Sequence, residues 1–98
     1  MNANNFETML NMMVDMQVPI ITAESVSEKF CNEWHLASKI IVPDGKDKVT
    51  VFTFIDTFKD TDFLAQVHSM DMSFGEAIMV FSEEVLRHQG GALRVLAN

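Results

Sequence analysis

Lys39–Asp56, KIIVPDGKDKVTVFTFID, is the stretch whose reading decides the fold class. Pro43-Asp44-Gly45 carries turn chemistry: proline presets φ, aspartate bonds its own backbone two residues on, and glycine accepts a positive φ. Ile40-Ile41-Val42 lies ahead of the turn and Val49–Ile55 behind it. Both arms are β-branched and aromatic, which suits a pleated surface, so the stretch reads as a β-hairpin. In the second arm Val49, Val51, Thr53 and Ile55 fall on one face, and Thr50, Phe52 and Phe54 on the other. Neither face is polar, and a two-stranded hairpin is marginal in water unless covered. Helices are therefore expected on one side, and more chain or a second subunit on the other. The simplest arrangement covers both faces with helices from the two ends of the chain.

Working outward, the segment before the hairpin reads as helix. Asn4 or Asn5 suits an N-cap, and Phe6, Met9, Leu10 and Met13 recur at the helical period over Phe6–Gln17. Met12, Val14 and Met16 widen that stripe beyond what one core contact needs. Pro19 pushes Val18 to an extended conformation and ends the helix. Thr22, or Ser25 with Glu28 as a capping box, then opens a second helix, on which Val26, Phe30 and Trp34 share a face. Leu36-Ala37-Ser38 is either its last turn or the start of the first strand. Beyond the hairpin, Phe63, Leu64 and Val67 give a short helix over Thr61–Ser69. A fourth helix has the strongest signals in the chain: Ser73 as N-cap, Glu76 as its capping-box partner, and Phe74, Ala77, Ile78, Phe81 and Val85 as the apolar face. Arg87 and His88 suit its negative end, and Gly90 a left-handed C-cap. The tail Ala92–Leu96 is apolar enough to dock as a third strand beside the hairpin. The expected fold is thus α+β: a single small domain over residues 1–98, with N-terminal helices, a central β-hairpin open to extension by the tail, and two C-terminal helices.

Ile21–Ile40, ITAESVSEKFCNEWHLASKI, resembles a helix-turn-helix element: Ser27 stands at its small-residue position, Phe30 before the turn, and Ile40 where the second helix closes. The lysine-bearing hairpin that follows would be its wing, and the resemblance implies a winged-helix DNA-binding protein. Cys31 departs from the usual turn glycine, and Glu33 would face phosphate. Phosphate neutralisation supplies most non-specific affinity, and only Lys39 on that second helix offers it. Nucleic acid is accordingly not the expected partner.

Composition narrows the classes further. Of the 98 residues, 48% are hydrophobic and 21% charged, the balance of a folded globular domain. No apolar run approaches the roughly 18 residues of a membrane span, and MNANNFETML lacks the basic and apolar regions of a signal peptide. A single cysteine, Cys31, excludes an internal disulfide. Together these point to a cytoplasmic protein with no membrane association. The net charge is −7, made of −4 over residues 1–35, +1 over 36–59 and −4 over 60–98. A body this acidic repels nucleic acid and anionic membrane and attracts basic partners.

Catalytic and metal chemistry find little to rest on. Cys31 with His35 and Glu84 with His88 have i,i+4 spacing, but a structural zinc needs four ligands in close pairs. No nucleophile elbow or family signature surrounds Cys31, and Gly90-Gly91 follows a helix rather than opening one. We therefore expect no enzyme activity, no metal and no cofactor. The expected function is that of a small acidic protein-binding protein that occludes a basic site on a larger partner. Inhibitors, immunity proteins and phage-encoded counter-defence (anti-CRISPR-like) viral proteins work in this manner. Asp56, Asp60, Asp62 and Asp71 are the candidate acidic contacts. Met9, Met12, Met13 and Met16 form a candidate apolar face for a partner or a homodimer, because methionine adapts to irregular surfaces. The alternative is a self-associating structural or regulatory subunit built on that face.

Overall fold

In the computed structural model, which describes residues 5–57, 61–87 and 90–96, the expected hairpin is the centre of a five-stranded antiparallel sheet. Its arms are β2 (Glu33–Pro43) and β3 (Val49–Asp56), paired from Ala37↔Ile55 to Pro43↔Val49. Gly45 sits at φ 82° in the turn, and the Asp44 N–H donates to the Lys48 carbonyl at 2.8 Å. The other strands are β1 (Ile20–Phe30), β4 (Asp62–Met70) and β5 (Ala92–Leu96), in the spatial order β4-β3-β2-β1-β5. Strands β1 to β4 form a meander. Helix α2 (Phe74–Leu86) then carries the chain from one edge of the sheet to β5 at the other. The Cα radius of gyration of 13.0 Å fits one compact domain of this length.

Both faces of the hairpin are covered by helices from the two ends of the chain. Ile21, Ala23, Ile41, Val51 and Ile55 point to one side and pack with Ala77, Phe81 and Val85 of α2. Ile20, Ile40 and Phe54, one residue out of phase, point to the other and pack with Phe6 and Leu10 of α1 (Asn5–Asp15). Phe6 meets Phe54 edge-on, with ring centroids 5.9 Å apart. Helix α2 begins as its sequence implies. The Glu76 N–H donates to Ser73 Oγ at 3.1 Å, and the Ser73 N–H to Glu76 Oε1 at 3.3 Å. Its C-cap is Arg87, so Gly90, at φ 86°, lies beyond the helix end; His88 lies outside the described residues. Helix α1 ends in a Schellman motif. Gln17 is left-handed at φ 59°, the Val18 N–H donates to the Met13 carbonyl, and the Gln17 N–H to that of Val14.

Two expected helices are strands. The segment from Thr22 that reads as a second helix is β1 with the start of β2, turning at Cys31 (φ 52°) and Asn32 (φ 64°). Two consecutive left-handed residues make the tight turn whose twist matches a hairpin. Ser25 is not a cap but an unpaired bulge residue at φ 60°, between the pairs Glu24↔Ser38 and Val26↔Ala37. The bulge puts Val26 and Phe30 on the α2 face, while Trp34 falls on the α1 face. The Thr61–Ser69 segment is β4, with Ala65 skipped in its ladder to β3. Among the described residues there is consequently one N-terminal helix and one C-terminal helix. The helix-turn-helix resemblance of Ile21–Ile40 loses both of its helices. The tail is a strand, as expected, but it lies beside β1. Among the described residues no helix is long and apolar enough to cross a membrane.

Candidate functional site

An 11-residue helix cannot cover one face of a five-stranded sheet, and what α1 leaves open is the candidate site. α1 packs chiefly over β4 and β2. Beside its first turn lies a cleft of about 510 Å³, lined by Phe6, Glu7, Glu24, Ser25, Ser38, Asp56, Thr57, Thr61 and Asp62. Four of those nine side chains are carboxylates and four are hydroxyls. The ninth, Phe6, is apolar and packs in the core against Phe54.

Each wall has a local cause. Asp62 opens β4 directly beneath the N-terminus of α1. Its carboxylate accepts from the Asn5 N–H at 2.5 Å and the Phe6 N–H at 3.0 Å, and the Asn5 side-chain amide donates to its carbonyl at 2.8 Å. A carboxylate there satisfies two otherwise orphaned helix donors and faces the positive end of the dipole. The cap thus comes from 56 or 57 residues away; of the two expected caps, Asn5 is the first residue of the helix and Asn4 lies outside the described residues. Asp56 ends β3 directly across from Asp62. Burial, and then the neighbouring Asp62 charge, hold the Asp56 carboxyl above its ordinary value of 3.8. Thr57 and Thr61 close the neck of the β3–β4 connection, with the Thr57 N–H on the Thr61 carbonyl at 2.8 Å and their hydroxyls bonded to each other. Glu24 is held by Arg94 of β5 at 3.1 Å. The bulge turns Ser25 out of the ladder and into the cleft, a use to which bulges are often put beside functional sites.

Below the cleft the α1 face stays open. Ser38, Leu36 and Trp34 follow one another on that side of β2, and Leu36 is 52% and Trp34 70% exposed. The chain's one tryptophan therefore stands on an uncovered apolar ramp leading to a pit of carboxylates.

No family model matches this chain, and neither a curated protein nor a solved structure is similar to it.

The residues singled out from the sequence fare differently. Asp56 and Asp62 come together in the cleft. Asp71 lies at the far end of β4, solvent-exposed and 4.0 Å from Lys48, while Asp60 lies outside the described residues. Of the four methionines, Met9 and Met13 pack against the α1 core, and Met12 and Met16 remain on the surface. Cys31 is exposed in the β1–β2 turn, and His35 stacks edge-on against Phe30. Among the described residues no three His, Cys, Asp or Glu side chains are grouped to hold a metal. Glu7, Glu24, Ser25 and Ser38 were not legible as site residues, because only the bulge and the strand pairing bring them to one place.

Proposed function

We propose that this chain is a small acidic binding protein, without catalysis of its own, that occludes a basic site on a larger protein partner. Inhibitors, immunity proteins and phage-encoded counter-defence proteins work in this way. The observation that carries the reading is the carboxylate cleft beside the exposed Leu36 and Trp34. Such a surface suits an arginine or lysine side chain flanked by an apolar one: the head enters the cleft and the neighbour lies on the ramp. Hydroxyls among the carboxylates give the guided cation several acceptors at once. Phosphate would be repelled from the same cleft, which disfavours nucleic acid as its occupant.

A heptapeptide of alternating arginine and leucine is the probe, and Trp34 fluorescence the readout. Binding should be saturable at low salt and weaken as salt rises. Asp56→Lys should lower the affinity by about tenfold or more, which corresponds to about 1.4 kcal/mol. Glu83→Lys, on the exposed side of α2, should change it by less than about twofold. Equal losses from both variants would reduce the interaction to diffuse charge attraction and end the proposal.

A further inference from the structure

The two edges of the sheet are protected very differently. β5 is five residues long, and its Arg94 is paired to Glu24. β4 is nine residues long, with an outer row of main-chain groups that no strand among the described residues pairs. From Phe63 to Met70 it carries no Asp, Glu, Lys, Arg or Pro, although the chain as a whole has a net charge of −7. Leu64 and Val67 on it are 46% and 50% exposed. Charges, prolines and shortness are the usual safeguards of an edge strand, and beyond its bulge β4 has only Asp62, whose carboxylate is turned to the N-terminus of α1.

The adjacent helix extends this patch. Glu7 lines the cleft together with Glu24 and Ser25 of β1 and Ser38 of β2. At ~100° per residue, Met12 and Met16 lie roughly opposite Glu7 around α1. α1 itself packs over the edge strand β4 as well as over β2. Met12 and Met16 are exposed, Met16 to 66%. A strand edge without charge from Phe63 to Met70 and a helix with exposed methionines thus adjoin on an otherwise acidic molecule.

We propose that β4 pairs antiparallel with β4 of a second copy, about a two-fold axis, to form a ten-stranded sheet with the methionine flanks meeting over the seam. The charge distribution selects this occupant. A basic partner finds no carboxylate from Phe63 to Met70, whereas two copies, each strongly acidic elsewhere, can meet along that run while Asp62 of each is engaged by the N-terminus of α1. Antiparallel edge pairing is also self-complementary, so it closes with two copies and leaves no β4 edge exposed. The cleft lies beside the first turn of α1 and reaches β4 only at its first residue, Asp62, so the run from Phe63 to Met70 can pair without closing it, and this pairing does not depend on what the cleft binds.

Light scattering on a sizing column at ~0.5 M salt reads the result. The wild type should have about twice the 11.1 kDa mass of one chain. Val67→Lys, at a half-exposed position, should give the mass of one chain with an unchanged circular dichroism spectrum. Leu86→Lys, at an equally apolar but remote position on α2, should keep the doubled mass. In a Cys31→Ser background, Gln66→Cys near the middle of β4 should form a cross-linked dimer under mild oxidation. A wild type of single-chain mass at about 100 µM, or a doubled mass that survives Val67→Lys, overturns the proposal. Arginine–leucine peptide binding by Val67→Lys should match the wild type, so failure here is distinct from failure of the cleft.

Discussion

Helix α2 lies over β1, β2 and β5 on one face of the sheet, and α1 over β4 and β2 on the other. The two helices are of similar length but close their faces by different means. Under α2 the core is continuous from Val26 to Val85 and includes a charge: Lys39, 6% exposed, meets Glu28 at 3.0 Å and Glu84 at 3.3 Å, with its ammonium 5.8 Å from the Phe81 ring centroid. Two carboxylates from two elements hold that lysine, so they also fix how α2 lies on the sheet. Under α1 the core is smaller and partly methionine, and the helix is tied to the sheet by hydrogen bonds from its N-terminus to Asp62. One face spends its polar groups on holding the fold. The other leaves carboxylates, hydroxyls, a tryptophan and methionines at the surface, where they can meet another molecule.

The largest test of this contrast is Lys39→Ala. Breaking a buried pair costs about 3–5 kcal/mol. Both glutamates keep some access to water and can turn toward it, so about 2–3 kcal/mol is expected from urea denaturation. Next is Asp62→Ala, which removes the distant cap of α1 and should cost about 1–2 kcal/mol. It should also raise hydrogen exchange in the first turn of α1 while leaving α2 unchanged. A loss of protection in α2 as large as in α1 would mean that the two faces are not independent.

Asp56→Asn should give a smaller effect with a definite sign. Because the Asp56 pKa is raised in the fold, its contribution to stability is fully present below its ordinary value of 3.8 and is lost as the pH rises through the raised value. The asparagine variant should therefore be more stable than the wild type at neutral pH, and the difference should close on acidification. The smallest expected change is at Ser25→Gly, which relieves a left-handed non-glycine bulge and should stabilise by about 0.5–1 kcal/mol. These two variants sharpen the comparison, because both place unfavourable residues at the cleft and neither lies on the α2 face.

How much of this was legible in the sequence follows from the bulges. The β2–β3 hairpin and helix α2 carry unbroken local signals, Pro43-Asp44-Gly45 in one and Ser73 with Glu76 in the other, and both stand where they were expected. The two strands misread as helices, β1 and β4, are the two with skipped residues, Ser25 and Ala65. One inserted residue shifts the alternation onto the other face. Val26 and Phe30 of β1 and Trp34 of β2 stand four apart across the turn, a spacing that imitates a helix although Trp34 lies on the other face. The inward-facing Glu28 and Lys39 further disguise the pattern, since each looks like a surface residue until the other and Glu84 are seen beside it. Cys31-Asn32 lacks the glycine that usually marks a two-residue turn. For the site, Asp56 and Asp62 could be named from charge alone. Their placement under α1 could not, because the contacts that make it span more than fifty residues.

The most direct test of the division between the faces is residue-resolved amide shift mapping during titration with the arginine–leucine peptide. The largest shifts should fall on Glu24, Ser25, Ser38, Asp56 and Thr61, with the Trp34 indole among them, while Glu76, Glu83 and Asp71 stay near their starting values. Shifts distributed over all exposed acidic residues, or centred on α2, would contradict the assignment of the α1 face as the binding face.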